Sequence, residues 1–373
     1  MNNMCLYPIT IKNKRFLPNK KNGWRPPVCP DERLLYVDCD CGYCYECRKK
    51  NARQWRIRMS EELKQNPHAV FFTGTFAPKR IEYLCGRYGL DEEDVNAIAT
   101  KEMRLFLERL RKANGGRSVK HWVVTERGHD NTKRIHVHGI YFHEDKKVLL
   151  KLLRENWIAG YKYNGQYVNE KTINYIVKYL TKTDLDNPNF KGKVLASPGL
   201  GNRYVKSLDA QMVKYFPRTE TRQTRDWYIF RDGTKASLPR YYREKLFTED
   251  ERQLLWIEKQ EEGFSYVMGE KIDTNTEEGK KQYKELKDYY KNYCIQVHKD
   301  NPDDWELKRM TLRQRRAARK CLEFQKQMQK RQEINEIRER MGIFKYKKRK
   351  LEQRLQREEE FSEYEYLYGK CPF

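Results

Sequence analysis

The chain has 373 residues, 35% of them charged and 38% hydrophobic, so an apolar core is confined to part of its length. Lys and Arg number 77 against 53 Asp and Glu, a formal charge of +24, which points to a polyanionic partner, nucleic acid being the usual one. Aromatic residues reach 13%, including 26 tyrosines, and basic residues interleaved with aromatics suit single-stranded nucleic acid, whose bases stack on rings. No stretch approaches the ~18 apolar residues of a membrane span, and Met1 to Lys20 lacks the apolar centre of a signal peptide. A cytoplasmic protein is expected, with its ten cysteines as thiols or metal ligands rather than disulfides.

Residues 1 to about 50 read as irregular and hold six of the ten cysteines. Lys49 to Gln65 is an amphipathic helix. Val70 to Phe76 is a strand, stopped by Pro78. Asp91 to Ala113 is a helix, with Met103, Leu105, Phe106, Leu107 and Leu110 at roughly helical spacing. Ser118 to Glu126 and Arg134 to Phe142 are strands joined by a polar turn, Arg127 to Lys133. Lys146 to Trp157 is a second helix, Tyr161 to Asn169 a strand or hairpin around Asn164-Gly165, and Thr172 to Thr181 a third helix. This order predicts an α+β fold of ferredoxin-like, split βαβ type, a central antiparallel sheet backed by helices. Ser197 to Asn202 is a turn cluster, and Trp227 to Arg231 with Lys235 to Leu238 a hairpin around Asp232-Gly233. From Glu249 the chain is charged and helix-prone, with basic runs at Arg313 to Lys320 and Lys345 to Lys350 that suit a DNA backbone or a solvated helix. An acidic, tyrosine-rich tail, Glu358 to Tyr368, follows. Four regions are expected: a Cys-rich segment and helix (1–66), an endonuclease-sized domain (67–185), an extension (186–248) and a charged helical C-terminal region (249–373).

The most informative segment is Arg134-Ile135-His136-Val137-His138-Gly139. Residues two apart in a strand share a face, so His136 and His138 form a ready pair of metal ligands. Glu126 joins that face if the intervening turn closes a symmetric hairpin; an odd slip in register turns it away. Two histidines and one carboxylate leave coordination positions open, as a catalytic metal site requires. Downstream, Tyr175 and Tyr179 stand one helical turn apart with Lys178 beside them. One phenol can attack a phosphodiester and keep the 5′ phosphate as a tyrosyl ester, and the second can attack the regenerated junction to release and join the first strand end. Lys178 can add positive charge or help deprotonate a phenol. The alternative for these residues is structural, unligated strand histidines and packing tyrosines. Cys39, Cys41, Cys44 and Cys47 fall within nine residues, and Cys-x-x-Cys-x-x-Cys spacing suits metal thiolates, with Cys39, Cys29 or Cys5 as the fourth ligand. Trp122, Trp157 and Trp227 read as core residues. The Ser197 to Asn202 turn can offer backbone N–H groups to a phosphate or be a turn alone.

These motifs resemble the HUH endonuclease superfamily: His136-Val137-His138 is its histidine strand, Phe72-Thr73-Gly74-Thr75-Phe76 its first motif, and Tyr175-Ile176-Val177-Lys178-Tyr179 its two-tyrosine motif. Within it, the chain is similar to replication initiators of the Microviridae, gokushovirus type, through Cys41-Gly42-Tyr43-Cys44-Tyr45-Glu46-Cys47-Arg48, Glu126-Arg127-Gly128, Pro198-Gly199-Leu200-Gly201 and Pro239-Arg240-Tyr241-Tyr242. The resemblance covers about residues 1 to 247. It departs at Ile135, where proline is usual, and at Thr125, where glycine is usual. It implies a rolling-circle replication initiator acting in the bacterial host cytoplasm. Glu126, His136 and His138 bind Mg²⁺ or Mn²⁺, Tyr175 and Tyr179 are the nucleophiles, and Lys178 assists. Origin DNA, single-stranded or supercoiled duplex, is the substrate; host helicase and polymerase are the partners. The setting of Cys5 resembles the family's start, favouring Cys5 with Cys41, Cys44 and Cys47 for a structural Zn²⁺. A plasmid relaxase or transposase of the same superfamily is the nearest alternative, and a non-catalytic nucleic-acid-binding protein the alternative of another class.

Overall fold

The computed structural model describes residues 5–128, 134–165, 167–217, 223–340 and 354–359. The chain divides into two compact units, Met1–Asp300 and Asn301–Phe373. In chain order the elements are β1 (Ile9–Lys12), β2 (Tyr36–Cys39), α1 (Tyr45–Gln65), β3 (Ala69–Thr75), α2 (Pro78–Tyr88), α3 (Val95–Ala113), β4 (Lys120–Arg127), β5 (Ile135–Phe142), α4 (Lys146–Asn156), β6 (Lys162–Asn164), α5 (Glu170–Val177), β7 (Val194–Ala196), α6 (Leu208–Gln211), β8 (Trp227–Ile229), β9 (Lys235–Ser237), α7 (Arg240–Leu246), α8 (Glu249–Glu261), β10 (Phe264–Val267), β11 (Glu270–Asp273), α9 (Glu277–His298) and α10 (Pro302–Arg340). Among the described residues no helix is long and apolar enough to cross a membrane.

β3, β4, β5 and β6 pair in the order β6-β3-β5-β4, every neighbour antiparallel, so β3 and β4 run parallel with β5 between them. This is the split βαβ arrangement that the element order predicts. A fifth strand, β7, extends the sheet beyond β4; at three residues, it is too short to show alternation in the sequence.

Alternation decides which helices cover which face. Val70, Phe72, Val123, Val137 and Tyr141 point to one side and pack on Ile98, Met103 and Phe106 of α3 and Leu149 and Leu153 of α4. Phe72, Phe106, Tyr141 and Trp157 form a chain of ring contacts there, with centroids 5.1 to 6.1 Å apart. The other face holds Ala69, Trp122, Val124, Ile140 and Phe142, covered by Ala52 and Met59 of α1 and Ile173, Ile176 and Val177 of α5. Toward the opposite end of this second face the same rows turn polar: Thr73 and Thr75 on β3, Glu126 on β4, His136 and His138 on β5. Apolar residues hold the helices down at one end of the rows, and the polar end becomes the candidate site.

Several sequence expectations shift. Pro78 does more than stop a strand: it occupies the first turn of α2, where its missing N–H has no helical partner to lose. The helix expected from Asp91 starts at Val95, because the Asp94 carboxylate accepts the Ala97 N–H at 2.9 Å and caps it. The helix expected through Thr181 leaves α geometry at Val177 and continues as a single 3₁₀ turn, Lys178–Leu180. The region after Glu249 is helical with one interruption, the β10–β11 hairpin, whose Val267 and Ile272 are buried. The hairpin around Asp232-Gly233 forms as β8–β9. Trp122 and Trp157 are core residues, and Trp227 is half-buried. The side chains of Arg313 to Lys320, the run Lys345 to Lys350, most of the tyrosine-rich tail and the turn segment 129–133 lie outside the described residues.

Gly74 sits on the α3/α4 face of β3, where a Cβ would overlap the indole of Trp157. Gly74→Ala is expected to cost about 1–3 kcal/mol through overpacking of that buried ring. Denaturant unfolding followed by tryptophan fluorescence checks this; an unchanged midpoint refutes the packing role.

Candidate active site and cysteine cluster

The β4–β5 register sets the site. Glu126 pairs with His136 and Val124 with His138, so the glutamate and both imidazoles share a face. Across β5's other edge, Thr73 lies opposite His138 and Thr75 opposite His136. Each threonine hydroxyl meets the facing Nδ1 at 3.0 Å, and His138 Nε2 reaches Glu126 Oε2 at 2.7 Å. A hydroxyl both donates and accepts, so these threonines hold either imidazole tautomer while leaving Nε2 turned to the site. Gly74, between them, has no side chain to displace Trp157, which accounts for the Thr-Gly-Thr pattern. Gly128 has a similar use: a Cβ there would lie 2.8 Å from His136 Nε2.

Burial by itself raises the Glu126 carboxyl, but hydrogen bonds and charge from His138 and Lys182 outweigh it and hold the group at about 2. Glu126 is therefore ionised throughout the neutral range. Lys182 Nζ is 2.5 Å from Glu126 Oε1 and 5.8 Å from the Tyr179 ring centroid. Lys178, the lysine singled out by sequence, is exposed, and Lys182 makes the contact with the glutamate instead. The signal was present as a doubled spacing, Tyr175-x-x-Lys178 followed by Tyr179-x-x-Lys182.

The two tyrosines converge on this row. The Tyr179 ring stacks on His138 at 4.2 Å with planes 10° apart, and Tyr175 stands edge-on to Phe71 at 6.3 Å. Their hydroxyls are 2.9 Å apart. Burial, then the hydrogen bond from Tyr175 and the charge of Glu126, push the Tyr179 phenol above its ordinary value, so it is protonated at neutral pH. The arrangement thus offers two hydroxyl nucleophiles, an ionised carboxylate, two imidazoles and one ammonium group within a single patch.

The cysteine cluster forms at the start of α1. Cys5, Cys41, Cys44 and Cys47 are buried, and their sulfurs all lie within 4.8 Å of one another, the set among the described residues with that property. Cys5 and Cys44 sulfurs are 3.8 Å apart, and those of Cys41 and Cys47 3.7 Å. A tetrahedral site with metal–sulfur bonds of about 2.3 Å has sulfur–sulfur edges of about 3.8 Å, so the cluster matches a structural metal such as zinc. Backbone N–H groups of Cys41 and Cys44 point at Cys5 and Cys41 sulfurs, both at 3.2 Å, as suits thiolates. Cys5 is the fourth member; Cys39 pairs with Ile9 in the β1–β2 ribbon, and Cys29 bonds the Asp31 carbonyl.

From that cluster α1 runs to the active face. Asp300 caps its first turn by accepting the Tyr45 N–H at 2.9 Å and pairs with Arg48 at 2.9 Å, with both side chains buried. Arg48 also donates to the Thr181 carbonyl at 3.4 Å, directly before Lys182. Further along α1, the buried Glu62 carboxylate accepts the Gly201 N–H at 2.8 Å, and the Tyr242 hydroxyl donates to the Gly201 carbonyl at 2.8 Å. The Pro-Gly-x-Gly turn and the Pro-Arg-Tyr-Tyr motif thus clasp each other and α1. Gly201 is required by its left-handed φ of +72° and by the Arg58 carbonyl, which a Cβ would meet at 2.5 Å. Since the Gly201 N–H is engaged by Glu62, it is not available to a phosphate; the turn is structural.

Residues 69–184 match the sequence model of a family described as Replication-associated protein ORF2. That span contains Glu126, His136, His138, Tyr175, Lys178 and Tyr179, and excludes the cysteine cluster. The chain is also similar to the Replication-associated protein ORF2 of Spiroplasma virus 4, at 26% identity over 240 residues, covering 56% of this chain and 72% of the relative. No solved structure matches the chain.

Burial raises the Asp300 carboxyl even against the nearby Arg48 charge, which lowers it. Removing one partner of such a pair strands the other, so Asp300→Ala is expected to cost about 3–5 kcal/mol in urea unfolding, and Arg48→Met/Asp300→Leu much less. Equal losses in the single and double variants would refute the pairing.

Proposed function

We propose that the chain initiates rolling-circle replication as an HUH-type endonuclease of the Microviridae, gokushovirus type. It nicks one strand at an origin, stays linked to the 5′ phosphate and later closes the released strand into a circle. The observation that carries this reading is the pair of phenol hydroxyls 2.9 Å apart, one ring stacked on a histidine of the Glu126–His136–His138 row. The similarity to replication-associated proteins supports the role in replication.

The donor set fits Mg²⁺ or Mn²⁺: a carboxylate held ionised, and two imidazoles whose Nδ1 atoms are engaged by threonines, as ligand histidines usually are by a neighbouring polar group. Glu126, His136 and His138 would hold the ion, which when bound polarises the scissile phosphate and offsets charge on the transition state. One tyrosine oxygen forms the new bond to phosphorus while the bond to the 3′ oxygen breaks; the phenol proton leaves toward the Lys182–Glu126 pair or water, and the 3′ hydroxyl is freed. The ester conserves the bond energy, so no ATP is consumed. The second hydroxyl, within reach of the same phosphorus, repeats the exchange on the regenerated junction. Tyr179, nearer the histidine row, is the first nucleophile in this reading. Lys178 lies on the exposed side and contacts the DNA backbone. Host helicase and polymerase displace and copy the strand in the host cytoplasm. Zn²⁺ in the four cysteines is structural and fixes the start of α1.

The test is incubation of an origin-bearing oligonucleotide with Mn²⁺ or EDTA, run on a denaturing gel that retains protein–DNA adducts. A Mn²⁺-dependent adduct, reduced in Tyr179→Phe and abolished in Tyr175→Phe/Tyr179→Phe, is expected. Binding to the cognate origin without adduct under every metal would leave a nucleic-acid-binding protein with no nuclease activity.

Elemental analysis is expected to find about one zinc per purified chain, lost in Cys44→Ser with a marked drop in stability. Zinc-free protein of unchanged stability would refute the structural site.

A further inference from the structure

Three tyrosines within seven residues stand out on the active face of the sheet. Tyr161, Tyr163 and Tyr167 are 71%, 55% and 76% exposed. Tyr163 lies on β6, the edge strand, directly opposite Thr73, which in turn faces His138. Opposed residues share a face, and strands are about 4.8 Å apart, so Tyr163 stands on the same side as His138, two strands away. Tyr161 is two residues earlier, on the same side by strand period; its carbonyl accepts the Thr75 N–H at 2.8 Å. The Tyr167 ring carries the Lys146 ammonium 4.4 Å from its centroid.

A scattered exposed tyrosine needs no explanation. Three together, bordering two candidate nucleophiles, with exposed Lys171 and Lys178 nearby, have the composition of a base-stacking platform. From Tyr161 to Lys182 the chain holds Lys162, Lys171, Lys178 and Lys182 against the one acid Glu170, so the surroundings suit a polyanion. Base faces are accessible only in unpaired DNA; in a duplex they are covered by neighbouring base pairs.

We propose that unpaired DNA flanking the nick is led over the β6 edge, with its bases stacked on Tyr161, Tyr163 and Tyr167. The inference rests on the nuclease reading above and adds that the origin must be locally melted before cleavage. Supercoiling, rather than recognition of an intact duplex, would then control access to the tyrosines.

The test is fluorescence anisotropy of the full chain with a labelled oligothymidylate and with a duplex of equal length, at one fixed salt concentration. Tyr161→Ala, Tyr163→Ala and Tyr167→Ala are each expected to weaken single-strand binding about fivefold or more, while the Phe variants stay within about twofold and duplex binding is unchanged. The Phe arm separates stacking from a role of the hydroxyl, and circular dichroism shows that the variants fold. Alanine variants that bind oligothymidylate like the parent, or that lose single-strand and duplex binding alike, would overturn the proposal. The adduct assay on the same variants keeps the two readings apart. Adduct formation with unchanged oligothymidylate binding sinks the platform alone, whereas selective loss of single-strand binding in a chain that never forms an adduct sinks the nuclease alone.

Discussion

The pairing of Glu126 with His136 across the β4–β5 hairpin is the constraint on which the site depends. A shift of one residue would send the carboxylate into the α3/α4 core and bring Thr125 to the histidines. Thr125 anchors the alternative side: its hydroxyl donates to Asn96 Oδ1 of α3 at 2.6 Å and accepts the Lys193 N–H at 2.8 Å. The register is thus held from both faces, by polar bonds toward α3 and by the His138–Glu126 contact on the other side. Once it is set, the β3–β5 pairing brings Thr73 and Thr75 to the imidazoles without further adjustment.

The second requirement is a cover for the active face that leaves its polar end open. α1 supplies most of it, and much of the chain outside the sheet holds α1 in place. The cysteine cluster fixes its start, the Arg48–Asp300 pair joins that start to the end of α9 and to Thr181, and Glu62 receives the turn at Gly201. A separate apolar cluster, with Ile57 of α1 against Tyr204, Tyr228, Phe230 and Tyr242, anchors the extension on the same helix. Arg58 lies 4.3 Å from the Trp55 ring and 4.0 Å from that of Tyr241, tying the Pro-Arg-Tyr-Tyr segment to it again. The motifs outside the sheet contribute to position rather than chemistry, which explains why chemically plain residues such as glycine and proline carry them.

What the sequence by itself determined is local. Strand alternation gave the two faces, the His-x-His spacing put both imidazoles on one of them, and the close cysteine spacing marked a metal-like cluster, because each depends only on backbone periodicity over a few residues. The Asp-Gly hairpin and the split βαβ order were legible for the same reason. Only the tertiary structure decided the rest. The turn after Glu126 is compatible with either parity, so the face of the glutamate follows from pairing with a strand beyond it. Cys5 stands 36 residues before Cys41 and joins it only through folding. Lys182 and Lys178 are equivalent by spacing, and what separates them is that the chain leaves α geometry after Val177, with Lys182 reaching Glu126. Short strands such as β7 and β10 exist because partners complete their hydrogen bonds, and three or four residues carry no period from which a sequence can announce them.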